Sequence, residues 1–186
     1  MIDSIKILRI QYENIPLFHD GCFEFSFLAE DRVSDPAQVF QLRKNLYTQK
    51  LTALVGINAS GKTSVLKLIY LAISIVLARG SLNTLVYDKS LLRDETKITI
   101  DFCHGDSCYK LHSIIGKRAP SRSTGTELYF KEEQLFKKPL ASIKSKKDVF
   151  CFDQTRLALQ RSQLPKDALG FLKFDDSIVI SIMMDR

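Results

Sequence analysis

The chain has 186 residues, 45% of them hydrophobic, which is enough for one folded domain and too apolar for a disordered chain. Lys and Arg number 27 and Asp and Glu 21, so the net charge of +6 permits a nucleotide, a nucleic acid or an acidic protein as partner without selecting one. The cysteines are spread along the chain and predict free thiols in a reducing compartment rather than a disulfide framework: Cys22, Cys103, Cys108 and Cys151.

The N-terminal residues do not show the basic and then apolar pattern of a secretory signal. The longest apolar run, residues 65–78, is interrupted by Lys67 and is shorter than the ~20 residues that a membrane span needs. We therefore predict a cytoplasmic protein with no membrane partner.

Alternating apolar and polar residues predict two strands near the start of the chain, at 5–10 and 22–27, with a turn-like stretch between them. Asp35 and Pro36 predict the start of a short helix, with Asp35 as its cap.

The continuous apolar run 51–55 ends at Gly56 and predicts a buried parallel strand. The sequence after Gly61 has helical composition as far as Ala78 and is apolar on nearly every face, which predicts a helix buried within the domain and stopped by Gly80.

The second half of the chain predicts mainly strands. Residues 97–102 and 109–115 predict a hairpin. Further predicted elements are strands at 127–130 and 148–152, helical structure at 155–170 and a strand at 177–184.

One motif carries specific chemistry: Gly56-Ile57-Asn58-Ala59-Ser60-Gly61-Lys62-Thr63, which matches G-x-x-x-x-G-K-[ST] at every fixed position. Such a P-loop folds its glycines tightly around phosphate, places the lysine on the terminal phosphates and offers the threonine hydroxyl to Mg²⁺. The loop follows a predicted strand and opens a predicted helix, which is the arrangement this motif needs.

We therefore predict ATP and Mg²⁺ as cofactors. The predicted nucleotide-binding residues are Gly56, Asn58, Ala59, Ser60, Gly61, Lys62, Thr63 and Ser64. Thr63 is the predicted metal ligand within the loop.

The stretch from Leu54 to Leu66 resembles the P-loop of ABC-type ATPase heads, above all those of the SMC, RecF and OLD-like group, which includes bacterial AAA-labelled ATPases of defence systems. Asn58 and Ser60 are typical of that group, and the opening strand is of its Ile-x-x-Leu-x-Ile type. The resemblance implies an α/β P-loop NTPase whose N-terminal lobe, residues 1–155, sets a mixed or antiparallel β-subdomain beside the P-loop strand and helix. Residues 156–186 would then begin a helical or second lobe, truncated here.

The resemblance also implies functional residues. Lys62 is expected to stabilise charge on the γ-phosphate during hydrolysis. In this family a glutamine after the last strand of the lobe contacts Mg²⁺ and the attacking water. Gln154 is the candidate for this catalytic and metal-binding role, with Gln160 and Gln163 as rivals.

The sequence departs from the family in its second half. It contains no signature motif, no Walker B strand ending in Asp-Glu and no switch histidine, and Arg186 stands where a catalytic glutamate would belong. The resemblance therefore implies ATP binding, weak or absent hydrolysis by this chain alone, and hydrolysis in a longer homodimer whose heads enclose ATP. Such a dimer would drive a DNA-related or defence effector.

Two other functions remain open. A small P-loop kinase fits the length, and Arg156 and Arg161 would suit its lid, although 55 residues precede Gly56. A non-catalytic nucleotide-binding interaction module fits the missing catalytic glutamate.

Two further patterns bear on partners. The stretch 117–147 is basic and predicts either a nucleic-acid contact or solvated loops. A zinc site built from Cys103, His104, Cys108 and His112 is disfavoured, because alternation along a strand points Cys103 and His104 to opposite faces.

Overall fold

The computed structural model describes residues 4–29, 33, 35–57, 61–120, 125–165 and 171–180. Its strands are β1 (Lys6–Glu13), β2 (Cys22–Ser26), β3 (Val39–Arg43), β4 (Leu46–Gln49), β5 (Thr96–His104), β6 (Ser107–Arg118), β7 (Glu127–Pro139) and β8 (Leu157–Gln160). The α-helices are α1 (Lys62–Val76) and the single-turn α2 (Leu82–Leu85).

Six strands form one sheet in the order β2-β1-β5-β6-β7-β8, and β3 pairs with β4 in a separate ribbon. Every neighbouring pair among the described strands is antiparallel. The predicted strands at 5–10 and 22–27 and the predicted hairpin at 97–115 are confirmed. The predicted strand at 127–130 extends to Pro139, because its whole length pairs with β6.

Helix α1 packs across one face of this sheet. Its buried side chains, including Leu68, Ala72 and Ile75, join the inward residues of β1, β5 and β6 in the main core. The hydroxyl of Tyr12 on β1 donates to the carbonyl of Leu68 at 2.7 Å and ties strand to helix. The helix ends at Val76, and the left-handed residue after it is Ala78 (φ 52°), not the predicted Gly80.

The other face carries a smaller core. Leu42 and Leu46 of the β3–β4 ribbon, together with Ile143 and Val149, pack there against Cys103 and Cys108.

Cys103 and Cys108 form a disulfide, so the prediction of free thiols is wrong for this pair and holds for the exposed Cys22 and Cys151. Two cysteines five residues apart do not by themselves indicate a disulfide bond in the sequence. The hairpin register places the two cysteines directly opposite each other, with Cα atoms 4.2 Å apart.

Several predicted elements are corrected. Residues 51–57 form no strand and lie outside both sheets. In place of the strand predicted at 148–152 there is a 3-10 helix, Lys147–Phe150, whose carbonyls accept from lysines of the sheet. The short helix predicted after Asp35 is the 3-10 turn Pro36–Gln38, capped by the Asp35 side chain as expected.

The C-terminal predictions also change. Residues Leu157–Gln160 lie in strand β8 rather than in a helix, because they pair with β7. Residues 177–180 join neither sheet, Ile178 and Val179 are buried in the main core, and residues 181–184 of the predicted strand lie outside the described residues. The part of the helical prediction at 166–170 also lies outside them.

Candidate nucleotide-binding site

The P-loop meets α1 at Gly61. This residue is the helix N-cap and has the left-handed φ of +84° that favours glycine. The side chain of Leu17, in the β1–β2 connection, lies against it: a Cβ built on Gly61 would be 3.5 Å from Leu17 Cδ1. No local sequence pattern predicts this contact, because Leu17 and Gly61 are 44 positions apart in the chain.

Lys62 folds back over the loop. Its ammonium donates to the carbonyls of Gly56 at 2.7 Å and Ile57 at 2.5 Å. The structure therefore brings the first residues of the motif and its lysine together. Of the two motif glycines, only Gly61 has a positive φ.

The first turn of α1 completes the described part of the site. The first helical hydrogen bond runs from the Val65 amide to the Gly61 carbonyl at 3.0 Å, so the amides of Thr63 and Ser64 have no acceptor within the helix. Such amides and the positive end of the helix dipole attract anions. Thr63 is exposed there, with its hydroxyl on the same turn.

The central residues of the motif, Asn58, Ala59 and Ser60, lie outside the described residues. Their expected contacts with phosphate stay predictions.

Gln154 lies apart from this loop. It begins the 3-10 turn Gln154–Arg156, its side chain is exposed, and it forms no hydrogen bond with a described loop residue. It follows the 3-10 helix that packs on the sheet face opposite α1. Of its rivals, Gln160 lies in β8 and pairs with Gln134 of β7, and Gln163 is exposed at the end of a 3-10 turn.

The basic stretch 117–147 is divided between two ends of the sheet. Strand β7 has 13 residues and is about 40 Å long. It separates the basic residues near its start from the lysines near and beyond its end. At the first end, Arg118 pairs with Glu127 at 3.1 Å and Lys131 pairs with Glu95. The stretch therefore does not form one continuous cationic surface within the described chain.

One buried carboxylate lies on the face opposite α1. Asp101 pairs with Arg9 at 3.0 Å and lies 3.9 Å from the ammonium of Lys110. Burial raises the pKa of Asp101 to about 6, against the opposing effect of the nearby cations Lys110, Arg9 and Lys138. Those cations also hold the 3-10 helix: the Lys110 ammonium donates to the Phe150 carbonyl at 2.7 Å. The cluster is structural, since it binds the polypeptide over the sheet.

A second buried carboxylate anchors the C-terminal segment. Glu133 accepts from Arg161 Nη2 at 2.8 Å, from Ser177 Oγ at 2.7 Å and from the Ile178 amide at 3.0 Å. Burial raises its pKa, and Arg161 opposes that rise. Its partners come from two later segments, so Glu133 joins them to β7.

No family model, curated protein or solved structure matches this chain. Among the described residues, no group of three His, Cys, Asp or Glu side chains is placed to hold a metal ion. No described helix is both long and apolar enough to cross a membrane.

Proposed function

We propose that the chain binds ATP through residues 56–64, with Lys62 on the terminal phosphates and Thr63 on Mg²⁺. The observation that carries the proposal is the joining of a complete P-loop motif to the start of α1, with Lys62 bonded to the carbonyls of Gly56 and Ile57. Phosphate oxygens would replace those carbonyls as partners of the ammonium.

The wider proposal is an ATPase head of the SMC, RecF and OLD-like group. A large antiparallel sheet beside helix α1 supports it, because the resemblance implies an antiparallel β-subdomain next to the P-loop helix. In this proposal hydrolysis needs a longer chain and a homodimer, with Gln154 moving towards Mg²⁺ when the dimer closes. A nucleic-acid contact and an effector protein belong to the same proposal.

Lys62→Ala tests the binding site. The variant should lose at least tenfold in affinity for ATP in isothermal titration calorimetry with Mg²⁺, because it removes the cation that faces the terminal phosphates. Its circular dichroism and unfolding transition should match those of the wild type, since the Lys62 side chain adds nothing to the core.

Lys67→Ala is the matched control. Lys67 lies on the same helix and is half exposed. Among the described residues it forms an ion pair only with Asp88, at 3.9 Å, so its removal should leave the affinity within twofold. Equal affinities for a folded Lys62→Ala variant and the wild type would overturn the proposal.

A further inference from the structure

The segment just before the P-loop exposes large apolar side chains. Leu51, Val55 and Ile57 are 86%, 92% and 83% exposed, although their sequence predicts burial. Leu54 alone among the large residues of this segment is half-buried, against the main core. Three exposed aliphatic side chains in seven residues form the kind of apolar surface that marks an interaction site.

The backbone of this segment also lacks partners. The last backbone hydrogen bond before it joins the Lys50 amide to the Gln38 carbonyl at 3.1 Å. Within the described chain, residues 51–55 make no backbone hydrogen bond, and the carbonyls of Gly56 and Ile57 accept only from the Lys62 side chain. An apolar segment of strand-forming composition with unpaired backbone groups resembles an open sheet edge.

The exposed surface continues along α1. The Ile57 carbonyl lies 2.5 Å from the Lys62 ammonium at the first turn of the helix, and the exposed Leu66 and Tyr70 follow Lys62 at intervals of four residues on one face. Tyr70 and Tyr87 both line an apolar cavity of about 120 Å³, and Tyr87 is 95% exposed. The apolar stripe, as we name it, consists of Leu51, Val55, Ile57, Leu66, Tyr70 and Tyr87.

We propose that the apolar stripe is a self-association surface, on which residues 51–57 of two copies of this chain pair edge to edge as antiparallel strands. A strand is the occupant that satisfies both the amides and the carbonyls of a segment whose backbone groups are unpaired. A two-fold axis through the pair presents the same apolar side chains from each copy, so the surface is complementary to itself.

Charge and area favour a second copy. Each chain carries +6 overall, yet no charged residue lies between Lys50 and Lys62, so the paired segments bring no like charges together. A stable interface buries about 800 Å² on each partner, and six exposed apolar side chains of roughly 100 to 200 Å² each reach that area.

This inference does not rest on ATP binding. A dimer that encloses ATP between two heads needs nucleotide and Lys62, whereas strand pairing along residues 51–57 needs neither.

Sedimentation equilibrium of the full chain without nucleotide tests the proposal. We expect a concentration-dependent dimer of twice the 21.2 kDa chain mass, and the same dimer for Lys62→Ala. A monomer at all concentrations, open-ended aggregates without a defined dimer, or a dimer that requires ATP would each overturn the proposal.

Three variants locate the interface. Val55→Lys should weaken the dimer at least tenfold by placing a charge in the apolar stripe, and Phe171→Lys, at an equally exposed residue outside the stripe, should leave it unchanged. Ala53→Pro should also weaken the dimer tenfold, because proline removes an amide without adding charge. Circular dichroism checks that each variant folds. A wild-type dimer in Val55→Lys or in Ala53→Pro, or an equal loss in Phe171→Lys, would overturn the proposal.

Discussion

Gly61 is the residue on which the shape of the loop before α1 depends. Its φ of +84° lies where a Cβ is strained by about 1 to 2 kcal/mol, while the neighbouring Leu17 side chain leaves a normal contact distance of 3.5 Å for that Cβ. The need for glycine here is therefore conformational rather than a matter of space.

Gly61→Ala should lower both the free energy of unfolding, by about 1 kcal/mol, and the affinity for ATP, because relief of the strain moves the loop amides. Gly105→Ala is the control: Gly105 also has a positive φ, of +57°, and no atom lies within 4 Å of its Cβ position. It should lose similar stability in denaturant titrations and keep its ATP affinity. An unchanged affinity in Gly61→Ala would show that the loop tolerates another backbone conformation.

Asp101 gives the protein a pH-dependent stability. Its pKa of about 6 in the fold lies above the ordinary 3.8, so its contribution is fully present below the ordinary value and is lost as the pH rises through 6. From pH 4 to pH 7 the wild type should lose roughly 2 kcal/mol of stability relative to Asp101→Asn, which does not titrate. Urea unfolding of both proteins across this range measures the difference. A constant difference would mean that Asp101 keeps an ordinary pKa.

At the scale of elements, Glu133 links β7 to two segments that follow it. Removing it takes the buried carboxylate away from the largely buried Arg161 guanidinium, the Ser177 hydroxyl and the Ile178 amide, which all donate to it. Glu133→Ala should therefore destabilise the fold by about 3 to 5 kcal/mol. It should also speed proteolysis within residues 171–180.

Glu132→Ala, at the exposed neighbour, should stay within about 0.5 kcal/mol of the wild type in the same measurements. If Glu133→Ala unfolded no more easily than Glu132→Ala, the link between β7 and the C-terminal segment would carry no stability.

The sequence predicted the elements that local patterns determine. The alternating runs became β1, β2, β5 and β6, and the apolar run after Gly61 became α1. It failed where distant partners decide the structure. The β8 residues had helical composition and form a strand because β7 lies beside them, and residues 51–55 have strand composition but no neighbouring strand with which to pair.

The same distinction between local patterns and distant contacts holds for the candidate site. The motif located the loop, Lys62 and the helix start, because their spacing is fixed along the chain. The contact of Leu17 with Gly61 depends on how β1 and β2 are joined, and the place of Gln154 depends on the path of the chain after β7. No local pattern carries that information.

At the scale of the whole molecule, nucleotide binding should raise the melting temperature, because a ligand that binds only the folded state stabilises it. ATP with Mg²⁺ should raise the melting temperature more than ATP with a chelator, because in the proposed site the Thr63 hydroxyl would be a ligand of the metal that the nucleotide binds. Thr63→Ala should abolish this difference and Thr63→Ser should keep it, as measured by differential scanning fluorimetry. The same melting temperature with Mg²⁺ and with chelator in the wild type would exclude Thr63 as a metal ligand.

The bond between Cys103 and Cys108 makes the covalent structure of the chain depend on where it is made. Oxidising compartments preserve such bonds and the glutathione pool of the cytosol opposes them. Two samples of identical sequence from the two environments would differ by two hydrogen atoms. Intact-mass spectrometry of the native protein, before any reductant is added, would therefore record the redox history of the compartment from which it came.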